Sequence, residues 1–535
     1  MKTEGRITAL YVGIVLMMTL CLFSLYRAST NEEVRTVLSG QYSRRLPIAS
    51  RRGFIYDRCG RLLNAKKDGY VCLVNPALVE EPRSVSELLS KCSEISESVI
   101  VERLSRSVPF TVQISDDDNL SGIQGIYCFP RYIHGTQTAV HTVGYVNKDG
   151  KGVIGAERGF DGYLRLYLGG DVSYSYSADA LGRPLGNSGT VLYDNGYSES
   201  SGVILTLDKK LQEELEAVAR EGISAGAIAV CEIESGEILA SVSLPDFEEN
   251  RVSEYLQSDK GELINRCAAS FTPGSIFKTV VAAAALGRDI GFYDLEYECM
   301  GKVVLSDGKE LSCHKRSGHG RITMARAYAD SCNAYFINLA GKIGIGEVLE
   351  TASAMGMGAS ELYGICNYGS PLPEYSDSDG FSANIAIGQG TLLMSPYEAC
   401  RVFACAASGY RAELSMLREV FRGDSTLLRP DRKKESVLPG EVCERLLEMM
   451  ELCISDGLGK EASPSDDDAG GKTATAQTGQ YKNGKEILNT WFCGVYPLSE
   501  PKFAIAVLCD GNGGEGNPRA IFGKVCDVLS DMRYY

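Results

Sequence analysis

Three short segments of this sequence combine two serines, two lysines and an asparagine in a fixed order. They are Ser275–Lys278 (SIFK), Ser331–Asn333 (SCN) and Lys472–Thr475 (KTAT). A serine hydroxyl becomes a good nucleophile when a neighbouring base takes its proton. Lysine can act as that base when burial or a second cation lowers its pKa. The three segments therefore predict acyl transfer by an activated serine that has no histidine partner.

Ser275 and Lys278 are predicted to lie on one turn of a helix. A Pro-Gly pair precedes the serine, and residues 279–286 are nearly all apolar and compatible with a helix. Residues three apart on a helix share a face, so the amine of Lys278 can reach the hydroxyl of Ser275. Lys472 is the candidate for the second cation that lowers the pKa of Lys278.

The elements around these segments predict an α+β domain. Asp208 can cap a helix with apolar residues at Leu211, Leu215, Val218 and Ala219. Helical patterns dominate residues 275–409. Strand-like runs lie on either side of them, at 227–233, 237–242, 472–477, 490–496 and 503–509. Strands at both ends of the region with helices between them are typical of the α+β class.

Two alternative sites would use the four histidines, which are His134, His141, His314 and His319. A Ser-His-Asp triad is disfavoured because no G-x-S-x-G segment accompanies them. His314 and His319 could bind a metal together with Cys313, but no further ligand pair is nearby in the sequence. We therefore interpret this segment as a polar loop above the active site and predict no metal and no cofactor.

The composition limits the classes of partner. Net charge is −15 and the isoelectric point is near 5.0, and no segment carries the cluster of Lys and Arg that nucleic-acid binding requires. The 18 cysteines include no C-x-x-C pair. Most are expected to be small buried residues. Cys299 and Cys313 flank a possible hairpin and are the one pair we predict as a disulfide.

The first apolar segment, residues 7–26, contains no charge and is long enough to cross a bilayer as a helix. No A-x-A cleavage pattern follows it, so an uncleaved membrane anchor is predicted rather than a signal peptide. Lys2 and Arg6 favour a cytoplasmic N-terminus, although Arg27 and Arg35 reduce the charge asymmetry. The catalytic part is then predicted to lie outside the cytoplasm.

Because it contains the three segments and the apolar N-terminal segment, the chain resembles the class B penicillin-binding proteins. These are membrane-anchored D,D-transpeptidases of peptidoglycan synthesis. The order S-x-x-K, S-x-N and K-T-G is the signature of penicillin-binding proteins and serine β-lactamases. Four further segments look like family signatures, namely Arg52–Arg58, Gly155–Asp161, Gly236–Ala240 and Ile387–Gly390. The resemblance extends from about residue 50 almost to the C-terminus.

The resemblance implies an α+β fold with three parts. Residues 1–26 would form a short cytoplasmic tail and transmembrane anchor, and residues 27–200 an elongated mixed pedestal domain. Residues 201–535 would form a transpeptidase domain with a central antiparallel sheet and helices. A multi-spanning polymerase of glycan strands is the implied partner, through the anchor and the pedestal.

The resemblance also implies roles for the first two segments. Ser275 would attack the carbonyl of the penultimate D-alanine of a stem peptide ending in D-Ala-D-Ala, and an acceptor amine would resolve the acyl-enzyme. Lys278 would take the serine proton, and Ser331 would relay it to the leaving amine. Asn333 would orient Lys278 and bind the substrate amide. A β-lactam would enter the same site and acylate the serine.

In the third segment, Lys472 and Thr473 would bind the terminal carboxylate of the substrate. The backbone N–H groups of Ser275 and Thr475 would form the oxyanion hole. Ala474 stands where the family has glycine, and its methyl should be tolerated if the backbone stays in the β region. We expect activity to survive with altered affinity, and Ala474→Gly to speed acylation if the methyl crowds the pocket.

Other functions are compatible with the same residues. A β-lactam sensor would need a cytoplasmic signalling module, and only a few residues precede Ile7. A β-lactamase would need a base that activates water, and the sequence shows no such residue. A scaffold without activity is disfavoured because the nucleophile, relay and cation positions are all filled. A fused glycosyltransferase is not expected, since the N-terminal region is too short for one.

Overall fold

The computed structural model describes residues 2–30, 43–117, 119–179, 184–185, 190–482, 484–511 and 516–533. In chain order its strands are β1 (Ser43–Arg51), β2 (Phe54–Tyr56), β3 (Ala65–Val74), β4 (Phe110–Ile114), β5 (Ile126–His134), β6 (Gly170–Ser177), β7 (Val191–Asn195), β8 (Ser201–Leu205), β9 (Gly226–Glu232), β10 (Ile238–Leu244), β11 (Tyr297–Cys299), β12 (Lys302–Val304), β13 (Glu310–Ser312), β14 (Gly320–Ile322), β15 (Ser360–Leu362), β16 (Cys366–Tyr368), β17 (Tyr410–Ala412), β18 (Leu417–Arg422), β19 (Ser425–Leu428), β20 (Lys434–Ser436), β21 (Gly470–Lys482), β22 (Lys485–Tyr496) and β23 (Phe503–Cys509).

The α-helices of the same residues are α1 (Lys2–Thr30), α2 (Pro82–Cys92), α3 (Glu97–Ser105), α4 (Val140–Val143), α5 (Gly155–Gly159), α6 (Asp161–Leu166), α7 (Lys209–Gly222), α8 (Val252–Tyr255), α9 (Lys278–Arg288), α10 (Met324–Ala329), α11 (Asn333–Ile343), α12 (Ile345–Ala354), α13 (Asp379–Ala386), α14 (Pro396–Ser408), α15 (Gly440–Ser455) and α16 (Pro518–Asp531). Short 3₁₀ turns add to them, including one at Gly274–Phe277.

The chain divides into two compact units that interleave along the sequence. The first comprises Met1–Arg52, Lys67–Ile133 and Gly169–Glu199, and the second comprises Gly53–Lys66, His134–Leu168 and Ser200–Tyr535. Two segments that precede residue 200 therefore belong to the second unit. The predicted domains at 1–26, 27–200 and 201–535 stay a prediction.

The first unit begins with the apolar helix α1. Its segment Gly5–Arg27 has a mean hydropathy of 2.2 and, by length and composition, could cross a membrane. We treat it as a membrane anchor. The charge comparison that predicted its orientation involves Arg35, which lies outside the described residues.

The rest of the first unit contains two three-stranded sheets, with strand orders β1-β6-β7 and β4-β3-β5. A disulfide joins Cys72 in β3 to Cys128 in β5. The other cysteines are free and most of them are buried, as expected. The predicted disulfide between Cys299 and Cys313 is wrong, because both thiols are free.

The second unit is built on a five-stranded antiparallel sheet with strand order β10-β9-β23-β22-β21. Each strand-like run identified in the sequence of this region lies in one of these strands to within one residue, since Ile233 and Glu237 fall just outside β9 and β10. Helix α7 begins after Asp208, whose carboxylate accepts the N–H groups of Lys210 and Leu211. Its buried residues include Leu211, Leu215 and Ala219. The predicted α+β class with a central antiparallel sheet is confirmed.

Helix α9 lies in the core of the second unit. All residues from Lys278 to Leu286 are buried, which is the environment expected for a helix that is apolar on every side. Because the helix is held on all sides, the turn before it has a fixed position. That turn carries Ser275.

Two of the further matched segments have structural roles in the second unit. Asp57 is fully buried, and its carboxylate accepts the N–H groups of Cys59, Arg61 and Lys209. It therefore fixes its own turn to the start of α7. Glu157 is also fully buried and accepts hydrogen bonds from Asn64 Nδ2 at 2.6 Å.

A third matched segment carries the buried carboxylate of Glu237. Its side chain is 1% exposed and lies 3.3 Å from Arg58 Nη2 and 3.0 Å from Arg418 Nε. Arg432 makes a further ion pair with it. Three guanidinium groups thus meet at one carboxylate. This carboxylate connects the turn before β10 to the chain segments that carry Arg58, Arg418 and Arg432.

Candidate active site

The nucleophile predicted from the sequence lies in a tight turn at the start of α9. Ser275 belongs to the 3₁₀ turn Gly274–Phe277, and Lys278 is the first residue of the helix. Gly274 has a φ of +58°, a conformation that favours glycine. Its N–H donates to the carbonyl oxygen of Gly388 at 2.8 Å, so the matched segment Ile387–Gly390 supports this turn.

The amine of Lys278 joins the first two segments. Its Nζ donates to the Ser331 carbonyl oxygen at 2.8 Å and to Asn333 Oδ1 at 2.8 Å, and it lies 3.2 Å from Ser331 Oγ. Ser331 itself has a φ of +56°, in the left-handed region that non-glycine residues rarely adopt. This strained backbone brings both its carbonyl oxygen and its hydroxyl to the same amine.

The electrostatics agree with a lysine base. Burial lowers the pKa of Lys278 well below its usual value, and the positive charge of Lys472 lowers it further. Burial also lowers the pKa of Lys472. Both amines are fully buried, and each lies over an aromatic ring, Lys278 over Phe336 and Lys472 over Tyr328. The effect of Lys472 on the pKa of Lys278 therefore has the predicted sign.

The third segment lies in the edge strand β21 of the central sheet. Lys472 Nζ donates to the Thr473 carbonyl oxygen at 2.9 Å and lies 3.3 Å from Thr473 Oγ1. Thr475 is exposed on the opposite face of the strand from Lys472 and Ala474. The threonines therefore present their side chains toward the cleft, and the lysine acts from behind the strand.

Ala474 occupies a regular β position, as expected, and pairs with Trp491 of β22. It is only 6% exposed. A Cβ placed on Gly274 would lie 3.4 Å from the Ala474 methyl, so this methyl is next to the turn before Ser275. Most of the methyl is packed between the strand and the nucleophile turn, and little of it faces the cleft.

Two grooves meet at Ser275, Asn333 and Thr475. One groove is lined further by residues of β21, β22 and the start of α16, including Thr473, Thr490 and Arg519. The other groove runs past Thr272, Ser312, Asn384, Gln389, Gln477 and Glu486. A nucleophile at the junction of two grooves can be approached by two separate chains.

The structure brings all the predicted site residues together at this junction or directly behind it. They are Ser275, Lys278, Ser331, Asn333, Lys472, Thr473, Ala474 and Thr475. Sequence reasoning missed Trp491, whose indole N–H donates to the Thr272 carbonyl oxygen at 3.1 Å. It also missed Arg519, which lines the cleft and pairs with Glu461 at 2.9 Å. The single tryptophan of the chain was a signal for the first, and no motif indicates the second.

The loop before the second segment differs from its prediction in one respect. His314 is exposed and lines the cleft, in agreement with a polar loop above the site. Cys313 and His319, however, lie close to Cys299 and Cys332. No further ligand pair is nearby in the sequence, but the fold brings Cys299 and Cys332 next to these two residues.

Comparison with known families gives the same assignment as the geometry. The family model described as penicillin binding protein transpeptidase domain matches residues 226–527, which contain all three catalytic segments. This chain belongs to the penicillin-binding protein family. Within that family its relatives are class B proteins, and the class B assignment made from the sequence is confirmed.

Two relatives and one solved structure show how far the similarity of this penicillin-binding protein extends. Stage V sporulation protein D of Bacillus subtilis is 26% identical, over 90% of this chain and 78% of the relative. Peptidoglycan D,D-transpeptidase MrdA of Acinetobacter baumannii is 26% identical, over 96% and 85%. A chain from a peptidoglycan synthase complex has a TM-score of 0.67 at 21% identity, covering 99% of this chain and 98% of that one. The last similarity concerns the fold.

Proposed function

We propose that this penicillin-binding protein is a serine-type D,D-transpeptidase that cross-links peptidoglycan stem peptides and is acylated by β-lactams. The observation that carries the proposal is the buried amine of Lys278. It lies one turn from Ser275, bonded to Ser331 and Asn333, with its pKa lowered by burial and by Lys472. A neutral amine in this position is a base for the serine hydroxyl.

In the acylation step, Ser275 Oγ attacks the carbonyl carbon of the penultimate D-alanine while its proton passes to Lys278 Nζ. The N–H groups of Ser275 and Thr475 stabilise the negative oxygen that forms. The peptide bond then breaks, and the leaving amine of the terminal D-alanine takes a proton from Ser331 Oγ. Ser331 recovers a proton from Lys278, whose Nζ lies 3.2 Å away.

The terminal carboxylate of the donor is bound by the hydroxyl of Thr473, with Lys472 acting through it. This division of roles follows from burial, since Lys472 Nζ is inaccessible but lies 3.3 Å from Thr473 Oγ1. Its positive charge polarises the hydroxyl that meets the carboxylate. Asn333 binds the substrate amide through the part of its side chain that faces the cleft.

In the second step, an amine from a neighbouring stem peptide attacks the acyl-enzyme and restores the Ser275 hydroxyl. The two grooves that meet at Ser275 support this step, because the donor can occupy one groove and the acceptor the other. A hydrolase that transfers the acyl group to water needs no second groove. This feature favours a transpeptidase over a β-lactamase.

The membrane helix and the relatives support a place at the cell surface. A single-pass anchor with the N-terminus in the cytoplasm would hold the catalytic unit on the outer side, where stem peptides are cross-linked. The peptidoglycan synthase complex that contains the similar chain supports a partner that polymerises glycan strands. The pedestal predicted at residues 27–200 is the part we propose for that contact, together with the anchor.

The proposal is tested with full-length protein in detergent. Wild type and Ser275→Ala are incubated with a fluorescent penicillin, and the label is followed by intact mass over time. A stable adduct on the wild type alone is the expected result, and D-alanine release from a stem peptide with an added acceptor should accompany it. Absence of an adduct on folded wild type would support the scaffold or another function, and rapid loss of the label would support a β-lactamase.

A further inference from the structure

Four metal-ligating side chains meet beside the catalytic cleft. Cys299, Cys313, His319 and Cys332 place their Sγ and ring nitrogen atoms within 4.8 Å of one another. The three cysteines are buried, with exposed fractions of 1%, 3% and 0%, and His319 is half-buried. Cys299 is the last residue of β11, Cys313 directly follows β13, His319 directly precedes β14 and Cys332 is the N-cap of α11.

We propose that these four side chains form a structural zinc site of the Cys₃His type. The Sγ atoms of Cys313 and Cys332 are 3.7 Å apart, and His319 Nδ1 lies 3.5 Å from the Sγ atoms of Cys299 and of Cys313. Tetrahedral zinc has Zn–S bonds of about 2.3 Å and Zn–N bonds of about 2.0–2.1 Å, which give edges of about 3.8 Å between sulfurs and about 3.5 Å between sulfur and nitrogen. The measured distances match these edges.

The choice of metal follows from the ligands. Three thiolates and an imidazole are soft or borderline donors, which select zinc over the hard cations magnesium and calcium. Four protein ligands complete a tetrahedron and leave no position for water, so the site is structural rather than catalytic. Iron or copper(I) on the same ligands are outcomes that a metal analysis distinguishes.

Two glycines let the ligand-bearing loops approach closely. Gly318 has a φ of +84°, and a Cβ there would lie 2.2 Å from the carbonyl oxygen of Cys299. Gly301 has a φ of +88°, and its carbonyl oxygen accepts the N–H of Cys313 at 2.8 Å. Any side chain at these positions would separate the loops. The backbone is thus arranged to bring the cysteines and the histidine together.

The cluster is connected directly to the active site through Cys332. This residue lies between Ser331 and Asn333, which both contact the amine of Lys278. Asn333 Nδ2 also donates to the carbonyl oxygen of Ser312, next to Cys313, at 3.3 Å. A metal at Cys332 would hold the strained Ser331 backbone and the Asn333 side chain in place. The ligands are therefore positioning residues, and this second part rests on the proposed function.

The test uses full-length protein purified without chelators from zinc-supplemented cells. Metal content is measured by inductively coupled plasma mass spectrometry. Protein stripped of metal and refilled with Co²⁺ is examined for the visible absorption bands of tetrahedral thiolate coordination. We expect one zinc ion per chain and a tetrahedral Co²⁺ spectrum in wild type. Cys299→Ser and Cys313→Ser should lose both, and Cys366→Ser, a free cysteine outside the cluster, should keep both.

Three results would overturn the proposal. The first is a folded wild type that contains no metal and gives no tetrahedral Co²⁺ spectrum. The second is that the ligand variants keep the zinc content of the wild type. The third is an intact mass that is two hydrogens lower because two cysteines of the cluster have formed a disulfide. If the serine variants do not fold, the stoichiometry and the Co²⁺ spectrum of the wild type still decide the matter.

The zinc site and the transpeptidase function can fail separately. Ser275→Ala should keep one zinc ion and lose the penicillin adduct. Cys299→Ser, whose side chain is outside the cleft, should fold, lose zinc and acylate at least about tenfold more slowly than Cys366→Ser. Loss of zinc with an unchanged acylation rate would overturn the positioning role while leaving the proposed function intact.

Discussion

Gly388 lies directly against Gly274, the residue before the nucleophile. The N–H of Gly274 donates to the Gly388 carbonyl oxygen at 2.8 Å, and a Cβ on Gly388 would lie only 1.9 Å from the Gly274 carbonyl oxygen. In the matched segment Ile387–Gly390, Gly388 therefore packs against the turn that carries Ser275. The absence of a side chain at Gly388 allows this loop to support that turn.

We expect Gly388→Ala to displace this turn and slow acylation by at least about tenfold, which is about 1.4 kcal/mol in the barrier. The added methyl must move backbone, and Gly388 also has a φ of +72°, so the substitution is strained. The measurement is the acylation rate with a fluorescent penicillin. Gly287→Ala is the matched control, because nothing lies within 4 Å of its Cβ position near the end of α9. An unchanged rate in folded Gly388→Ala would contradict the supporting role.

The pH dependence of acylation should report the pKa of Lys278. Only the neutral amine accepts a proton, so the rate rises as pH increases through the lowered pKa. Lys472→Met removes the neighbouring cation, which raises the pKa of Lys278 and moves this limb of the profile to higher pH. The rate of acylation is measured against pH in both proteins. Lys460→Met, an exposed lysine, should leave the profile in place, and a Lys472→Met profile with the wild-type midpoint would rule out the coupling.

Much of the site follows from sequence because its parts are local or ordered. Ser275 and Lys278 are one helical turn apart, and the strand patterns before and after the helical region give the central sheet. The pairing of Lys278 with Ser331 could be expected only from the resemblance. No local rule predicts that Ser331 adopts a φ of +56° and thereby presents two oxygens to the same amine.

The cysteine cluster was missed for a physical reason. Its ligands come from a strand end, two loop positions and a helix start between residues 299 and 332, at spacings that match no zinc motif. The chain folds them together through close glycine contacts, which a search for short motifs does not detect. The disulfide between Cys72 and Cys128 was missed similarly, because it depends on which strands are neighbours in the sheet.

Ala474→Gly should not speed acylation, because the condition for a faster rate, a methyl that crowds the pocket, is not met. Ala474 borders the cleft but is only 6% exposed, and its methyl lies next to the Gly274 turn, so its removal leaves a small void beside that turn. Glycine in a strand also increases the entropy lost on folding. We expect the free energy of unfolding to fall by about 1 kcal/mol and the acylation rate to stay the same or decrease. A clear increase in rate would show that the methyl does crowd the substrate.

The carboxylate of Glu237 should contribute far more to stability than its exposed neighbour Glu234. Glu237 is 1% exposed and faces Arg58, Arg418 and Arg432. Glu237→Gln therefore removes the carboxylate that these three arginines share and leaves Arg58 with Glu232 at 4.0 Å. Breaking a buried ion pair on one side costs about 3–5 kcal/mol.

Glu234→Gln is the matched control for this prediction. Glu234 is 85% exposed and pairs with Lys434 at 2.8 Å, and an exposed pair of this kind contributes about 0–1 kcal/mol. Thermal unfolding of the two variants, monitored by circular dichroism, should separate them by several degrees. Equal unfolding temperatures would mean that the three arginines find other partners or solvent when Glu237 is neutral. The matched segment Gly236–Ala240 would then need a different explanation from the ion cluster, such as the tight turn at Gly236, whose φ is +72°.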